Sequence, residues 1–199
     1  MKKIIYTLII VSAVYLSSCQ KDVAVAPETQ TPAETTAVTP TPPLTQGNAA
    51  ATDTVMNVDG FIKLELAKDA VNKDNILIVF QPGTKANYVP GEDAPYMQGF
   101  GLESLSSISS DNIALAVNAL PLKQQGDCIS LNVMAKSSAT YSLSLIKVDS
   151  IPAKYHVWVT DKLKNDSLDL TLYKTYLFDI NTADTTSFGK NRFKVKIHK

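Results

Sequence analysis

From about residue 53 onward, apolar and polar positions alternate in short runs. Ile62, Leu64 and Leu66 alternate with Phe61, Lys63 and Glu65. The same alternation marks Ile129, Leu131, Val133 and Ala135; Tyr141, Leu143 and Leu145; and Tyr155, Val157 and Val159, which are separated by His156 and Trp158. It returns at Leu168, Leu170 and Leu172, at Tyr176, Phe178 and Ile180, and at Phe193, Val195 and Ile197. Successive side chains of a strand point to opposite faces, so each run predicts a strand with one buried face. Ile76 to Phe80 and Ile113 to Val117 are continuous apolar runs of strand length. Gln81-Pro82-Gly83, Pro90-Gly91 and Gln125-Gly126-Asp127 supply turns. Leu64 to Val71 is the best helix candidate, but it is short and lies inside an alternating pattern. Runs recurring at roughly 10 to 15 residues predict an all-β fold: an antiparallel sandwich, Ig-like or jelly-roll-like, of about eight or nine strands.

The first 52 residues follow another pattern. Met1-Lys2-Lys3 precedes an uncharged apolar run from Ile4 to Leu16, and Ser17-Ser18-Cys19 follows. A basic start, a short apolar run and small residues make a secretory signal peptide over 1–18. The run is too short for a spanning helix, which needs about 20 apolar residues. Leu16-Ser17-Ser18-Cys19 resembles a bacterial lipobox. That resemblance implies that the Cys19 sulfur carries lipid and that Cys19 becomes the first mature residue. Residues 19–52 read as a linker: Pro27, Pro32, Pro40, Pro42 and Pro43 sit among threonine and alanine, with no aromatic residue. Such a segment buries too little surface to offset its conformational entropy. Extended at about 3.1 Å per residue, some 30 of these residues reach roughly 90 Å, a spacer between membrane and domain. Residues 53–199 are then the domain.

Charge narrows the choice of partners. The chain carries 19 basic and 19 acidic residues; without Lys2 and Lys3 the mature part has a net charge of −2. No basic patch stands out and Arg192 is the single arginine, so nucleic acid is excluded as a partner. There are two cysteines. With Cys19 committed to lipid, no intramolecular disulfide is expected, although the compartment permits one. Cys128, in the run Cys128 to Val133, is expected to be a buried small hydrophobe.

The second half carries an ordered set of motifs: Asn118-Ala119-Leu120-Pro121, Ala139-Thr140-Tyr141-Ser142-Leu143, Tyr155 to Asp161, Tyr176-Leu177-Phe178-Asp179-Ile180 and Ser187 to Phe193. With Ile76 to Gly83 and Asp93-Ala94 they resemble a β-sandwich unit recurring in Bacteroidetes surface and secreted proteins, over about 75–199. The resemblance implies a non-catalytic surface module with a structural or adhesive role, and it transfers no catalytic residues. That unit often precedes a C-terminal sorting domain, whereas this sequence ends at Lys199. Cys19-Gln20-Lys21-Asp22 partly resembles the charged export signal of surface lipoproteins in the same phylum, with one acid where two are common. The expected address is the outer membrane, with the protein held there by the lipid on Cys19.

Candidate chemistry is sparse. The histidines are His156 and His198, and no nucleophile elbow, phosphate loop or zinc spacing is present. No enzyme is expected, though a glycosidase-like pair of carboxylates is the enzymatic alternative. No cofactor or metal is expected either; Glu92 and Asp93 lack the spacing of a calcium loop. The binding alternative is carbohydrate on aromatic rings, with Tyr88, Tyr96 and Trp158 as candidates. In a regular strand Trp158 and His156 face away from Tyr155, Val157 and Val159, so Trp158 either packs under a loop or stands exposed. Arg192 is expected to pair with Asp161 or Asp179. Asp53-Thr54-Val55, Asp149-Ser150-Ile151, Asp166-Ser167-Leu168 and Asp184-Thr185-Thr186 resemble the three-residue O-glycosylation signal of Bacteroidetes, which points to Thr54, Ser150, Ser167 and Thr185.

Overall fold

The computed structural model describes residues 54–99 and 101–199. The expected signal peptide over 1–18, Cys19 and the expected linker over 19–52 lie outside them. The described chain is all-β. Its strands are β1 (Gly60–Ala67), β2 (Lys73–Phe80), β3 (Ala94–Pro95), β4 (Glu103–Ile108), β5 (Ala114–Leu120), β6 (Asp127–Ala135), β7 (Ala139–Asp149), β8 (His156–Asp161), β9 (Asp166–Asp169), β10 (Thr175–Ile180) and β11 (Gly189–His198). A single helical turn, α1 (Leu170–Tyr173), joins β9 to β10.

Hydrogen bonds link all eleven strands into one sheet, in the order β10-β7-β1-β2-β5-β4-β6-β11-β8-β9, with β3 attached to β5. The sheet nearly closes on itself like a barrel, and its bonding does not divide it into two layers. Its two edge strands, β9 and β10, are consecutive in sequence and separated only by α1. Side chains from the two ends of the strand order also meet: the rings of Phe178 on β10 and Phe193 on β11 lie 4.5 Å apart. One pairing departs from the antiparallel expectation. β2 and β5 run parallel, Leu77 opposite Val117 through Phe80 opposite Leu120. The cause is the long connection from Gln81 to Ile113, which carries the chain back to the same end of the sheet; parallel pairing needs such a crossover.

Burial follows the predicted alternation closely. Ile62, Leu64 and Leu66 on β1, Ile129, Leu131 and Val133 on β6, and Phe193, Val195 and Ile197 on β11 are all core residues. The run at Leu168 to Leu172 does not form one strand. β9 stops at Asp169, whose carboxylate accepts the Thr171 N–H at 2.8 Å and starts α1. Leu170 is therefore buried while Leu172 is exposed. β4 was hidden from periodicity altogether. Its sequence is Glu-Ser-Leu-Ser-Ser-Ile, yet Ser104, Ser106 and Ser107 are buried, because neighbouring strands and loops cover both of its faces. Ser106 Oγ and Glu103 Oε1 have no hydrogen-bond partner among the described residues.

Candidate functional site

Arg192 is the most completely held polar side chain in the domain. Its Nε donates to Asp161 Oδ1 at 3.0 Å and its Nη2 to Asp161 Oδ2 at 2.8 Å, a two-bond fork onto one carboxylate. Nη1 donates to the carbonyls of Asp179, at 2.8 Å, and Ser187. The guanidinium lies against the rings of Phe178 and Phe193, 5.0 and 4.6 Å from their centroids. Tyr176 Oη donates to Asp161 Oδ2 at 3.2 Å. Arg192 and Asp161 are buried. Burial pushes the Asp161 carboxyl up, but the Arg192 guanidinium and the backbone N–H groups of Lys164 and Leu163 outweigh it and hold it below the usual carboxylate range. The expected pairing with Asp161 is thus present, and Asp179 joins it through its carbonyl. This cluster ties β8, β10 and β11 together and is structural.

The outward face of β8 and β11 carries the second set of candidates. Alternation on β8 turns His156, Trp158 and Thr160 out and buries Val157 and Val159. Trp158 is half-buried. Its ring stacks on His198, centroids 6.0 Å apart and planes 19° from parallel. His198 lies opposite His156 in the β8–β11 register. His156 Nδ1 meets Asp169 Oδ2 at 2.5 Å, and His198 Nδ1 meets the Lys199 carbonyl at 2.8 Å. Burial pushes the Asp169 carboxyl up, but His156 and the Thr171 N–H and hydroxyl bring it below its ordinary value. The sequence names His198 as a histidine but gives it no neighbour. Its register opposite His156 becomes visible only when β11 is paired.

Tyr88 and Tyr96 do not join Trp158. They lie on the β2–β5 crossover, and each is half-buried. Tyr96 Oη donates to Asp74 Oδ2 at 2.8 Å, the oxygen that also accepts the Leu105 N–H at 2.9 Å. Burial first, then the Asp74 hydrogen bond, push the phenol up to about 12. The Tyr88 N–H donates to Asp111 Oδ1 at 3.0 Å. Asp93 is buried and accepts the N–H groups of Val89 and Ala119, both at 2.7 Å. These residues pin a long loop onto the sheet, and the described residues hold no group of three potential metal ligands.

One expectation about Cys128 is corrected. It is exposed, because it occupies an outward position of β6 next to buried Ile129. Thr54, Ser150, Ser167 and Thr185 are all exposed. Ser150 follows β7 with φ of 56°, Ser167 lies on edge strand β9, and Thr185 opens a 3-10 turn over Thr185–Ser187. No protein-family model, no curated protein and no solved structure matches the chain.

Proposed function

We propose that the chain is a lipid-anchored protein of the bacterial outer membrane that displays a non-catalytic β-domain with a structural or adhesive role. One observation carries this reading: a basic, apolar and small-residue leader ends on Cys19 and leads into a proline-threonine linker. Two or more acyl chains make such attachment stable. The domain is read as a sandwich-like display module, with opposed parts of one sheet sharing a core. Its resemblance to the surface unit of Bacteroidetes supports that description. The test is mass spectrometry of the mature protein from a lipoprotein-processing bacterium. Acylation of an N-terminal Cys19, abolished in Cys19→Ser together with membrane retention, is expected. An uncleaved N-terminus, or a Cys19 sulfur recovered in a disulfide, overturns the proposal.

A second reading is carbohydrate binding on the outward face of β8. Its support is the half-exposed Trp158 ring stacked on His198, a flat apolar surface with polar neighbours. Tyr88 and Tyr96 belong to the covering loop and contribute nothing to that surface. A glycan array on wild type and Trp158→Ala decides the matter: signal lost in the variant supports it, and an array with no wild-type signal removes it. The exposed Thr54, Ser150, Ser167 and Thr185 suit O-glycosylation of the displayed domain. Intact-mass analysis of native protein showing no added hexose dismisses that part.

A further inference from the structure

A concave surface lies beside the Arg192 clasp. It is a cleft of about 520 Å³ bordered by Lys162, Thr185, Thr186, Phe188, Lys190 and Asn191, among others. That volume suits a small organic ligand. Local sequence and register explain why it exists. On β11, Gly189 is opposite Val133 of β6 and Phe193 is opposite Leu131, so four steps of one strand face two of the other. Lys190, Asn191 and Arg192 bulge out of the ladder with no cross-strand partner on β6 or β8. The Arg192 carbonyl accepts the Lys162 N–H at 2.9 Å, which fixes the opposite rim. A bulge of this kind bends a strand and leaves backbone N–H and C=O groups outside the ladder.

The lining has a definite chemistry. Lys162, Lys190 and Arg192 are cationic, and no carboxylate is among the lining residues. Arg192 is neutralised by Asp161. Among the described residues neither Lys162 nor Lys190 forms an ion pair; Lys190 Nζ donates to Asn112 Oδ1 at 3.0 Å, on the exposed surface. Nearby Asp184 is turned onto Thr186, whose N–H and hydroxyl it accepts at 2.9 and 2.7 Å. Its charge is therefore partly committed, and two ammonium groups dominate the rim. Threonine hydroxyls, the Asn191 amide and the backbone of Lys190 and Asn191, which lies outside the β6 and β8 registers, offer donors and acceptors. Leu163 and Phe188 add apolar surface.

We infer that this cleft binds a hydroxylated carboxylate of the sugar-acid class, the carboxylate held by Lys162 and Lys190 and the hydroxyls by Thr186, Asn191 and the bulged backbone. The inference is independent of the lipid anchor, and the cleft is a different surface from the Trp158 face. Calorimetric titration of the purified protein with a galacturonate trisaccharide, with maltotriose as the neutral control, tests it. Binding of the acidic sugar alone, weakened by added salt, is expected. Lys162→Ala with Lys190→Ala is expected to lower affinity about tenfold or more, since two charge-assisted hydrogen bonds are lost, with the thermal midpoint unchanged. Equal binding of both sugars, no binding of the acid at millimolar concentration, or a double variant that binds like wild type overturns the inference. So does a loss of the acid's affinity in Trp158→Ala, which places the ligand on the other face. Labelling of Cys19 by lipid reads out separately, so failure here and failure of anchoring are distinguishable.

Discussion

Arg192 grips Asp161 through both carboxylate oxygens inside the core, 31 residues apart in sequence and on neighbouring strands β11 and β8. Breaking such a pair leaves an uncompensated buried charge, which costs about 3–5 kcal/mol. Arg192→Ala and Asp161→Ala are each expected to fall in that range by urea unfolding. Arg192→Lys retains the charge but loses the fork and the two carbonyl contacts, so it recovers only part of the loss. An Arg192→Ala midpoint equal to wild type refutes the structural role of the clasp.

The same pair makes the fold sensitive to acid. Asp161 and Asp169 are both held below the ordinary carboxylate value. Each therefore contributes stability that is full above about pH 3.9, the unfolded value, and is lost as pH falls through its lower native value. Unfolding free energy is expected to decline from about pH 4 downward and to decline less steeply in Asp169→Asn. Denaturation series between pH 2 and 7 check this, and a variant with the wild-type slope contradicts the assignment to Asp169.

Gly126 stands at φ of 99°, where a Cβ would run into the Ile197 carbonyl and the His198 side chain. Gly126→Ala is expected to destabilise by about 2 kcal/mol or more, through both backbone conformation and steric overlap. Gly91 has φ of 91° with open space around it. Gly91→Ala pays only the conformational part, about 1 kcal/mol. Equal thermal midpoints for the two variants contradict the close approach of β11 to the turn before β6.

Tyr96 is a post under the crossover. Its phenol is expected to ionise only near pH 12, and Tyr96→Phe is expected to remove one late-titrating component from the ultraviolet absorbance titration. The lost hydrogen bond to Asp74 costs about 1 kcal/mol. Sugar retention that depends on Tyr96 while stability is unchanged reverses this assignment.

The legible part of the fold is the part with period two. Leu131 and Val133, or Phe193 and Val195, declare a buried face because nothing but a half-buried strand has that pattern. Ser104 and Ser106 declare nothing, since a strand covered on both faces by other segments need not be apolar at every position. Leu168, Leu170 and Leu172 look like a strand until Asp169 caps a turn. The Arg192–Asp161 pair was readable because a lone arginine beside a core phenylalanine needs a carboxylate. The cleft was not, because it arises from a mismatch of register between β11 and β6, and register is a property of two segments. Cys128 was misread because its neighbours are apolar while its own parity in the strand points outward.

β11 is the last strand of the described chain, yet it sits inside the sheet, between β6 and β8. Until residues 189–198 are available, β6 and β8 lack their shared neighbour, and the core lacks Phe193, Val195, Ile197 and the guanidinium of Arg192. The sheet therefore cannot close progressively from its N-terminal end. The N-terminal strands alone therefore leave an open core, and residues 189–198 act as the keystone that joins β6 to β8.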